Sequence, residues 1–249
     1  MQRLDLALVA RGLAPSRSRA QQLIDSGVVL VNGSADRAKA SLKVSDADTL
    51  ELQEDVRSSG KYVSRGAIKL VEALDIFSKD GLPSVTGTHC LDVGASTGGF
   101  TQVLLEAGAA HVLALDVGHG QLDPLIAHDP RVTDMSGVNV RAVEPNDLPY
   151  APDLVVSDVS FISLTYVLPV LAAVMRPAAH AVLLIKPQFE VGRSKLGKGG
   201  IVTREEYRQE AVERVVSCAE ERGFSVRGLT PSAITGTHGN QEYLVWLER

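Results

Sequence analysis

Residues 90–100 read Cys-Leu-Asp-Val-Gly-Ala-Ser-Thr-Gly-Gly-Phe. The segment begins as a short apolar run and continues as a glycine-rich turn. A helical pattern follows and ends near Gly108, a residue type that suits a helix C-terminus. A strand, a glycine turn and a helix N-terminus in this order place several backbone N–H groups around an open space. The segment therefore predicts a site for a ligand with a carboxylate or another anionic group.

Three ligand classes fit this turn unequally, and a tight turn without any ligand is the fourth alternative. A P-loop requires lysine where Phe100 stands, and a dinucleotide fingerprint requires glycine where Ser96 stands. The turn that binds S-adenosylmethionine has the pattern Asp-x-Gly-x-x-x-Gly-Gly. That pattern is matched without a gap by Asp92, Gly94, Gly98 and Gly99.

A second acidic residue favours a ligand with a ribose. Residues 110–115 read as the next strand and lead into Asp116, which lies 22 residues after Gly94. An aspartate at about this offset binds ribose hydroxyls in related folds, and its charge would repel a 2′-phosphate. The alternative is an aspartate that only begins a turn.

Composition limits the class of protein. The 249 residues suffice for one or two domains, and 45% of them are hydrophobic. No apolar run has the length of a membrane span and no signal peptide opens the chain, so we expect a cytoplasmic protein without membrane contact. The two cysteines and six histidines show no metal-like spacing, so we expect no metal.

Charge is uneven along the chain although the net charge is only −5. Residues 1–43 carry seven Lys or Arg against three acids, whereas residues 46–55 carry five acids. The first segment is therefore a small basic module with an acidic edge, and a basic surface of this kind favours an anionic partner.

The pattern of this module is α+β. A helix is predicted from Leu4 to Arg11, and a second helix is predicted with Ser18 and Gln21 as its capping box and with Ala20, Leu23 and Ile24 facing inward. Residues 28–31 read as a strand that leads into Asn32-Gly33, a hairpin signal, and residues 49–52 read as a further strand.

Two helices that present Arg17 and Arg19, followed by Gly-x-Val-x-Val-Asn-Gly at residues 27–33, resemble the RNA-binding fold of the ribosomal small-subunit protein S-four. The resemblance covers about residues 1–55 and implies binding to folded RNA through its phosphates. The alternative is a solvated helix face.

A linker is predicted over residues 58–66, between an RNA-binding domain at 1–57 and a second domain at 67–249. The linker carries Lys61, Tyr62 and Arg65, which could contact RNA or only solvent. Ser64 is predicted to cap a helix whose apolar stripe comprises Ala67, Leu70, Val71, Leu74 and Phe77.

From Thr88 onward, apolar strands alternate with helices. Strands are predicted at 91–93, 112–115, 154–157 and 181–185, and helices at 165–175 and from a capping box at Thr203 and Glu206 to Gly223. This alternation predicts an α/β fold with a parallel sheet covered on both faces. The final strands, 225–229 and 243–247, are joined too closely for a crossover helix and should form an antiparallel hairpin at the sheet edge.

The predicted topology brings charged residues together. Asp158 and Lys186 each follow a parallel strand, and ligands bind at the carboxyl ends of such strands. If the last strand runs antiparallel, Glu242 at its beginning lies at the same rim. Lys69, on the helix before the first strand, can reach this rim, although a lysine outside an apolar stripe is normally solvated.

The order Lys69, Asp158, Lys186 and Glu242 is similar to the catalytic tetrad of FtsJ-like ribose 2′-O-methyltransferases. With the S-four-like module, the chain resembles the TlyA family of hemolysin-labelled rRNA cytidine 2′-O-methyltransferases. The matching segments are residues 62–70, 94–100, 157–163, 186–190 and 239–243.

The resemblance implies a Rossmann-like methyltransferase domain, S-adenosylmethionine as cofactor, and ribosomal RNA within a ribosomal subunit as partner. Because a ribose 2′-hydroxyl must lose its proton during the reaction, Lys186 is the candidate general base, and the alternative is that alignment of the reactants alone carries much of the rate. The implied cofactor residues are Asp92, Gly94, Ala95, Ser96, Thr97, Gly98, Gly99, Phe100, Asp116 and Asn139. The predicted RNA contacts are Arg3, Arg11, Arg17, Arg19, Lys39, Lys61, Tyr62, Arg65, Arg193, Lys195 and Lys198.

The loop at residues 191–200 combines three cations with four glycines, which fits either an RNA clamp or a flexible solvated loop. Tyr62 in place of a linker tryptophan, and a chain that stops at Arg249, match the family subtype that acts on large-subunit rRNA. The competing hypotheses are a membrane-damaging toxin, as the hemolysin label implies, and a non-catalytic ribosome assembly factor.

Overall fold

A computed structural model describes residues 2–14, 17–25, 29–34, 38–52, 62–236 and 239–249. The chain divides into two compact units, one drawn from residues 1–61 and 237–239 and the other from residues 62–236 and 240–249. The described residues of each unit enclose a hydrophobic core of their own. The predicted boundaries at 57/58 and 66/67 stay predictions.

The smaller unit is built from two helices and two short antiparallel strand pairs. Its elements are β1 (Gln2–Arg3), α1 (Leu4–Ala10), α2 (Arg17–Asp25), β2 (Val29–Val31), β3 (Lys43–Val44) and β4 (Leu50–Leu52). β1 pairs with β3 and β2 pairs with β4. Leu4 and Leu8 of α1 are buried between these elements, and so are Ala20, Leu23 and Ile24 of α2, which confirms the inward face that was predicted for the second helix.

The details of this unit differ from the sequence pattern at two points. α2 begins at Arg17, so Ser18 lies inside the helix and the predicted cap is wrong. Asn32 and Gly33 have φ angles of 52° and 78°, as the two-residue turn of a hairpin requires. Val31 and Ser34 form an isolated bridge across that turn, and within the described residues β2 pairs with β4.

The larger unit contains a seven-stranded sheet. Its strands are β5 (His89–Val93), β6 (His111–Asp116), β7 (Val132–Ser136), β8 (Leu154–Ser157), β9 (His180–Ile185), β10 (Ser225–Pro231) and β11 (Tyr243–Glu248), in the order β10-β11-β9-β8-β5-β6-β7. β11 pairs antiparallel with both β9 and β10, and the pairs among β5 to β9 are parallel. The predicted parallel sheet and the closing antiparallel hairpin are confirmed.

Helices cover both faces of this sheet. They are α3 (Gly66–Lys79), α4 (Gly99–Glu106), α5 (Pro124–Ala127), α6 (Leu164–Val174), α7 (Pro187–Glu190) and α8 (Glu205–Glu221). Leu91 and Val93 face a core that includes Leu168 and Leu171 of α6, whereas Cys90 faces a core that includes Phe77 of α3. Burying a leucine or phenylalanine stabilises the fold by about 1.5–3 kcal/mol, so the two cores fix the layers on which the site depends.

Three predictions about these helices are wrong in detail. α3 begins at Gly66 after Arg65, without a side-chain cap from Ser64, and α8 begins at Glu205 after Arg204 rather than after Thr203. The apolar stripe of α3 uses Ala73, which is buried, in place of Val71, which is 37% exposed. Among the described residues, none of the helices is long and apolar enough to cross a membrane.

Candidate active site

The glycine turn between β5 and α4 is shaped by left-handed backbone conformations. Gly94 and Gly98 have φ angles of 87° and 91°, which only glycine adopts without strain. A Cβ on Gly94 would lie 3.1 Å from the carbonyl oxygen of Asp158. The turn therefore packs directly against the segment that follows β8, and Gly98 forms the N-terminus of α4.

Gly99 allows a close contact with Ser64 that the sequence did not indicate. A Cβ at this position would lie 2.0 Å from Ser64 Oγ. The backbone N–H of Val63 also donates to Gln102 Oε1 at 2.8 Å, so the chain entering α3 lies across the start of α4. Ser64 is thus a packing partner of the glycine turn instead of a helix cap.

Asp92 supports the turn from inside the protein. It is fully buried, and Thr101 Oγ1 of α4 donates to its Oδ2 at 2.7 Å. Its Oδ1 is buried without a hydrogen-bond partner in the described part of the chain. Burial raises the pKa of Asp92 to about 7, and the hydrogen bond from Thr101 only partly opposes this rise.

The expected ribose carboxylate already holds the neighbouring backbone in place. Asp116 Oδ2 accepts from the N–H of Ser96 at 2.9 Å, and its Oδ1 accepts from the N–H of Gly118 at 2.7 Å. Each carboxylate oxygen can accept a further hydrogen bond, so these contacts leave capacity for a diol. Asn139 is exposed at the end of the segment after β7, where its side chain accepts from the N–H of Arg141.

The four residues of the predicted tetrad form two ion pairs. Lys69 Nζ lies 2.6 Å from Glu242 Oε2, and both side chains are buried. Lys186 Nζ lies 2.6 Å from Asp158 Oδ1 and donates to Ser160 Oγ at 2.8 Å. Burial alone would raise the pKa of Asp158, but the ammonium groups of Lys186 and Lys69 outweigh burial and hold that pKa below its usual value. Lys69 therefore acts on the carboxylate of the other ion pair as well as on its own partner, Glu242.

Topology explains how Glu242 reaches this rim. Tyr243 begins β11 opposite Ile185, the last residue of β9, so Glu242 and Lys186 leave neighbouring strands at the same end of the sheet. A Cβ on Gly236 would lie 2.0 Å from Glu242 Oε1, so a larger residue there would displace this carboxylate. Lys69 is buried because its ammonium meets this carboxylate.

Glu190 is a buried acid whose function the sequence did not indicate. Its carboxylate accepts from Ser163 Oγ at 2.5 Å and from the backbone N–H of Leu164 at 2.8 Å. Burial raises its pKa. Glu190 thereby connects α7, which directly follows Lys186, to the N-terminus of α6, which lies shortly after Asp158 in the sequence. Only the position of Glu190 in the motif Lys-Pro-Gln-Phe-Glu could have drawn attention to it.

The predicted RNA contacts of the smaller unit occupy different environments. Arg3 and Arg17 both pair with Asp5, at 3.0 Å and 2.8 Å. The guanidinium of Arg11 donates to backbone carbonyls of Ser45 and Asp48, and this residue braces a loop. Lys39 is exposed, whereas the side chain of Arg19 and the whole of Lys61 lie outside the described residues.

The predicted RNA contacts of the larger unit also differ from one another. Tyr62 packs beside the core that contains α3, and Arg65 precedes that helix. In the loop at 191–200, Arg193 and Lys198 are exposed, but Lys195 pairs with Glu210 of α8. The loop is folded into two short 3₁₀ turns, and the side chain of Asn240 donates to the carbonyl of Gly200 within it.

Comparison with known proteins identifies this arrangement. Residues 62–249 match the model of the FtsJ-like methyltransferase family, and residues 2–50 match that of the S4 domain. A Mycobacterium tuberculosis protein named 16S/23S rRNA (cytidine-2′-O)-methyltransferase TlyA is 46% identical over 98% of this chain and 89% of its own. The chain belongs to the TlyA family. It is therefore a methyltransferase with an S4 domain, as the sequence predicted.

Other members of the TlyA family agree with this assignment. A Campylobacter jejuni protein named 23S rRNA (cytidine-2′-O)-methyltransferase TlyA is 30% identical over 96% of both chains. A solved structure of a hemolysin-labelled protein from Streptococcus thermophilus is 40% identical, with a TM-score of 0.75 over 100% of this chain and 88% of that one. Hemolysin labels and methyltransferase names thus occur on relatives of similar sequence.

Proposed function

We propose that this TlyA-family chain transfers a methyl group from S-adenosylmethionine to the ribose 2′-hydroxyl of a cytidine in ribosomal RNA, with large-subunit rRNA as the favoured substrate. The observation that carries the proposal is the meeting of the ion pairs Lys69–Glu242 and Lys186–Asp158 beside the glycine turn. Large-subunit rRNA is favoured because 23S rRNA is named for both the Mycobacterium tuberculosis and the Campylobacter jejuni relative, whereas 16S rRNA is named for the first alone.

The residues of the glycine turn fit the proposed cofactor. The turn from Gly94 to Gly99 has no bulky side chain on its backbone, and a buried acceptor, Asp92 Oδ1, has no partner beside it among the described residues. Asp116 ends β6 and Asn139 lies three residues after the end of β7, where they would hold the ribose and the adenine. When bound, S-adenosylmethionine supplies an electrophilic methyl group on a sulfonium.

Lys69, Asp158, Lys186 and Glu242 would orient the ribose hydroxyl and accept its proton. A ribose hydroxyl is a weak nucleophile, so the site must orient it and accept its proton. We assign Lys186 Nζ as the proton acceptor, with Asp158 and Ser160 fixing its position. Lys186 must enter this step as the neutral amine, because an ammonium nitrogen has no lone pair for the proton. It leaves the step as the ammonium ion, which the carboxylate of Asp158 stabilises. The low pKa of Asp158 keeps that carboxylate ionised, and it can therefore orient the lysine without competing for the proton. Lys69 and Glu242 form the opposite wall of the site.

The direct test is transfer of labelled methyl groups to isolated large and small ribosomal subunits from a strain without the corresponding gene, followed by mapping of the modified nucleotide. We expect label in the large subunit, on a cytidine ribose. Lys186→Ala should abolish transfer and leave cofactor binding, measured by calorimetry, largely intact. Exposed Lys79, which pairs with Asp75 on α3, provides the matched control as Lys79→Ala, with normal transfer.

Two results would contradict the proposal. Absence of label in both subunits would reject rRNA as the substrate. Loss of cofactor binding in proportion to the loss of transfer in Lys186→Ala would make Lys186 a cofactor residue rather than the proton acceptor.

A further inference from the structure

Asp5 is a completely buried acid in the smaller unit that contacts two predicted RNA-binding arginines. It lies in the first turn of α1 and has an exposed fraction of zero. Arg3 approaches it side-on, with Nε 3.0 Å from Oδ1 and Nη2 3.1 Å from Oδ2. Arg17, the first residue of α2, donates through Nε to Oδ2 at 2.8 Å. One carboxylate therefore joins the starts of both helices.

Both guanidinium groups stabilise the buried carboxylate. A buried charge is tolerated only when it is paired and hydrogen-bonded. The hydrogen bond and charge of Arg3, together with those of Arg17, outweigh the effect of burial and hold the pKa of Asp5 far below its usual value. Asp5 therefore stays ionised at any pH at which the protein would work.

Both arginines contact a buried carboxylate and remain partly exposed themselves. Their side chains are 43% and 58% exposed, whereas the carboxylate between them is not exposed at all. A guanidinium is planar and rigid, so fixing its Nε edge also fixes the direction of its outer nitrogens. Two cations against one anion leave a net charge of +1 on this surface.

We propose that Asp5 is a positioning residue that holds Arg3 and Arg17 as one preorganised clamp for RNA phosphates. This inference rests on the proposed function, since it assumes an RNA substrate. Arginine side chains that are already ordered lose less conformational freedom on binding than free ones do. Asp5 thus strengthens RNA binding although its own charge repels phosphate.

The sign of one substitution separates this proposal from simple electrostatics. Asp5→Asn adds one positive charge to the surface, so charge alone predicts tighter RNA binding. Positioning predicts weaker binding, by roughly 5- to 50-fold, because two long side chains must then be ordered when RNA binds. The matched control is Asp46→Asn, which makes the same chemical change at an exposed site of the same unit.

The experiment measures the affinity of the full chain for transcribed large-subunit rRNA at several salt concentrations. In a background of Arg3→Ala with Arg17→Ala, Asp5→Asn should cause no further loss, whereas a purely structural role of Asp5 would still reduce affinity there. Binding of the Asp5→Asn variant as tight as that of the wild type, or tighter, would overturn the inference. Failure of the wild-type chain to bind rRNA would instead reject the proposed function.

A second pair of variants covers the case in which Asp5→Asn does not fold, as judged by circular dichroism. Arg3→Lys with Arg17→Lys keeps the number of charges but removes the Nε contacts with Asp5. We expect this variant to lose affinity by a similar factor. Affinity equal to that of the wild type would overturn the inference.

Discussion

Substitution of Asp92 by asparagine should change how the stability of the larger unit depends on pH. The folded protein holds a proton on this carboxyl up to a pKa of about 7, compared with 3.8 in a solvated chain. Between these values the native state binds more protons than the unfolded state. The free energy of unfolding therefore falls as pH rises from about 4 to about 7, and the fall amounts to roughly 4 kcal/mol.

Asparagine has a similar shape and can still accept the hydrogen bond from Thr101, but it does not titrate. Urea unfolding of the wild type and of Asp92→Asn at pH 5 and pH 8 isolates the contribution of Asp92, because the other titrating groups are common to both proteins. Over this interval the wild type should lose roughly 3 kcal/mol more than the variant. The dependence of unfolding on urea concentration should have the same slope in both proteins.

The exposed Asp80 at the end of α3 offers a control in Asp80→Asn, which makes the same chemical change outside the hydrophobic core. Parallel profiles for Asp92→Asn and the wild type would refute the reasoning. Such a result would mean that solvent or rearrangement relieves the burial of Asp92, and that this carboxylate is ionised in the resting protein.

Three further predictions concern contacts of the site and the basic loop. Glu242→Gln should abolish methyl transfer and lower the free energy of unfolding by about 3–5 kcal/mol, because it leaves the buried ammonium group of Lys69 unpaired. A variant that is active, or that is as stable as the wild type in urea titration, would contradict this. Gly99→Ala should lower the free energy of unfolding by about 1–3 kcal/mol, because the added Cβ would overlap the hydroxyl of Ser64. Gly192 has a φ angle of −58° and open space around it, so Gly192→Ala should change that free energy by less than about 0.5 kcal/mol. Equal effects of the two substitutions in thermal unfolding would refute the packing argument. Lys198→Ala should reduce the salt dependence of rRNA binding by about one ion. Lys195→Ala should reduce it less, because Glu210 already neutralises Lys195. A larger effect of Lys195→Ala than of Lys198→Ala in salt titrations would show that RNA binding separates Lys195 from Glu210.

The sequence predicted the strands of the larger unit well where burial leaves a strong signal. β8 was predicted at its observed bounds because three of its four residues are apolar and all four are buried. β7, with the sequence Val-Thr-Asp-Met-Ser, was not predicted because it lies at the sheet edge, where polar residues are tolerated. The helix starts failed for another reason. Serine and threonine near a helix start can cap it or pack elsewhere, and local sequence does not distinguish these outcomes.

The candidate site could be predicted where it depends on topology alone. The ends of parallel strands meet at one rim, so the directions of the strands suffice to bring Asp158, Lys186 and Glu242 together. The burial of Lys69 could not be predicted in this way. It depends on the distance between α3 and a carboxylate 173 residues later, whereas the sequence indicated only that Lys69 could reach this rim. The contacts of Asp5 and Glu190 likewise required coordinates, because each carboxylate serves groups distant along the chain.

The four charges of the site should act as one unit rather than as separate catalytic contributions. Each ion pair joins residues distant along the chain, and both lysines act on the carboxylate of Asp158. Loss of Glu242 releases Lys69, and a displaced Lys69 no longer lowers the pKa of Asp158 from its present position. The orientation of Lys186 by that carboxylate then weakens, although Lys186 itself is unchanged. Removing Lys69 and Lys186 together should therefore reduce the rate of transfer by far less than the product of the two single effects.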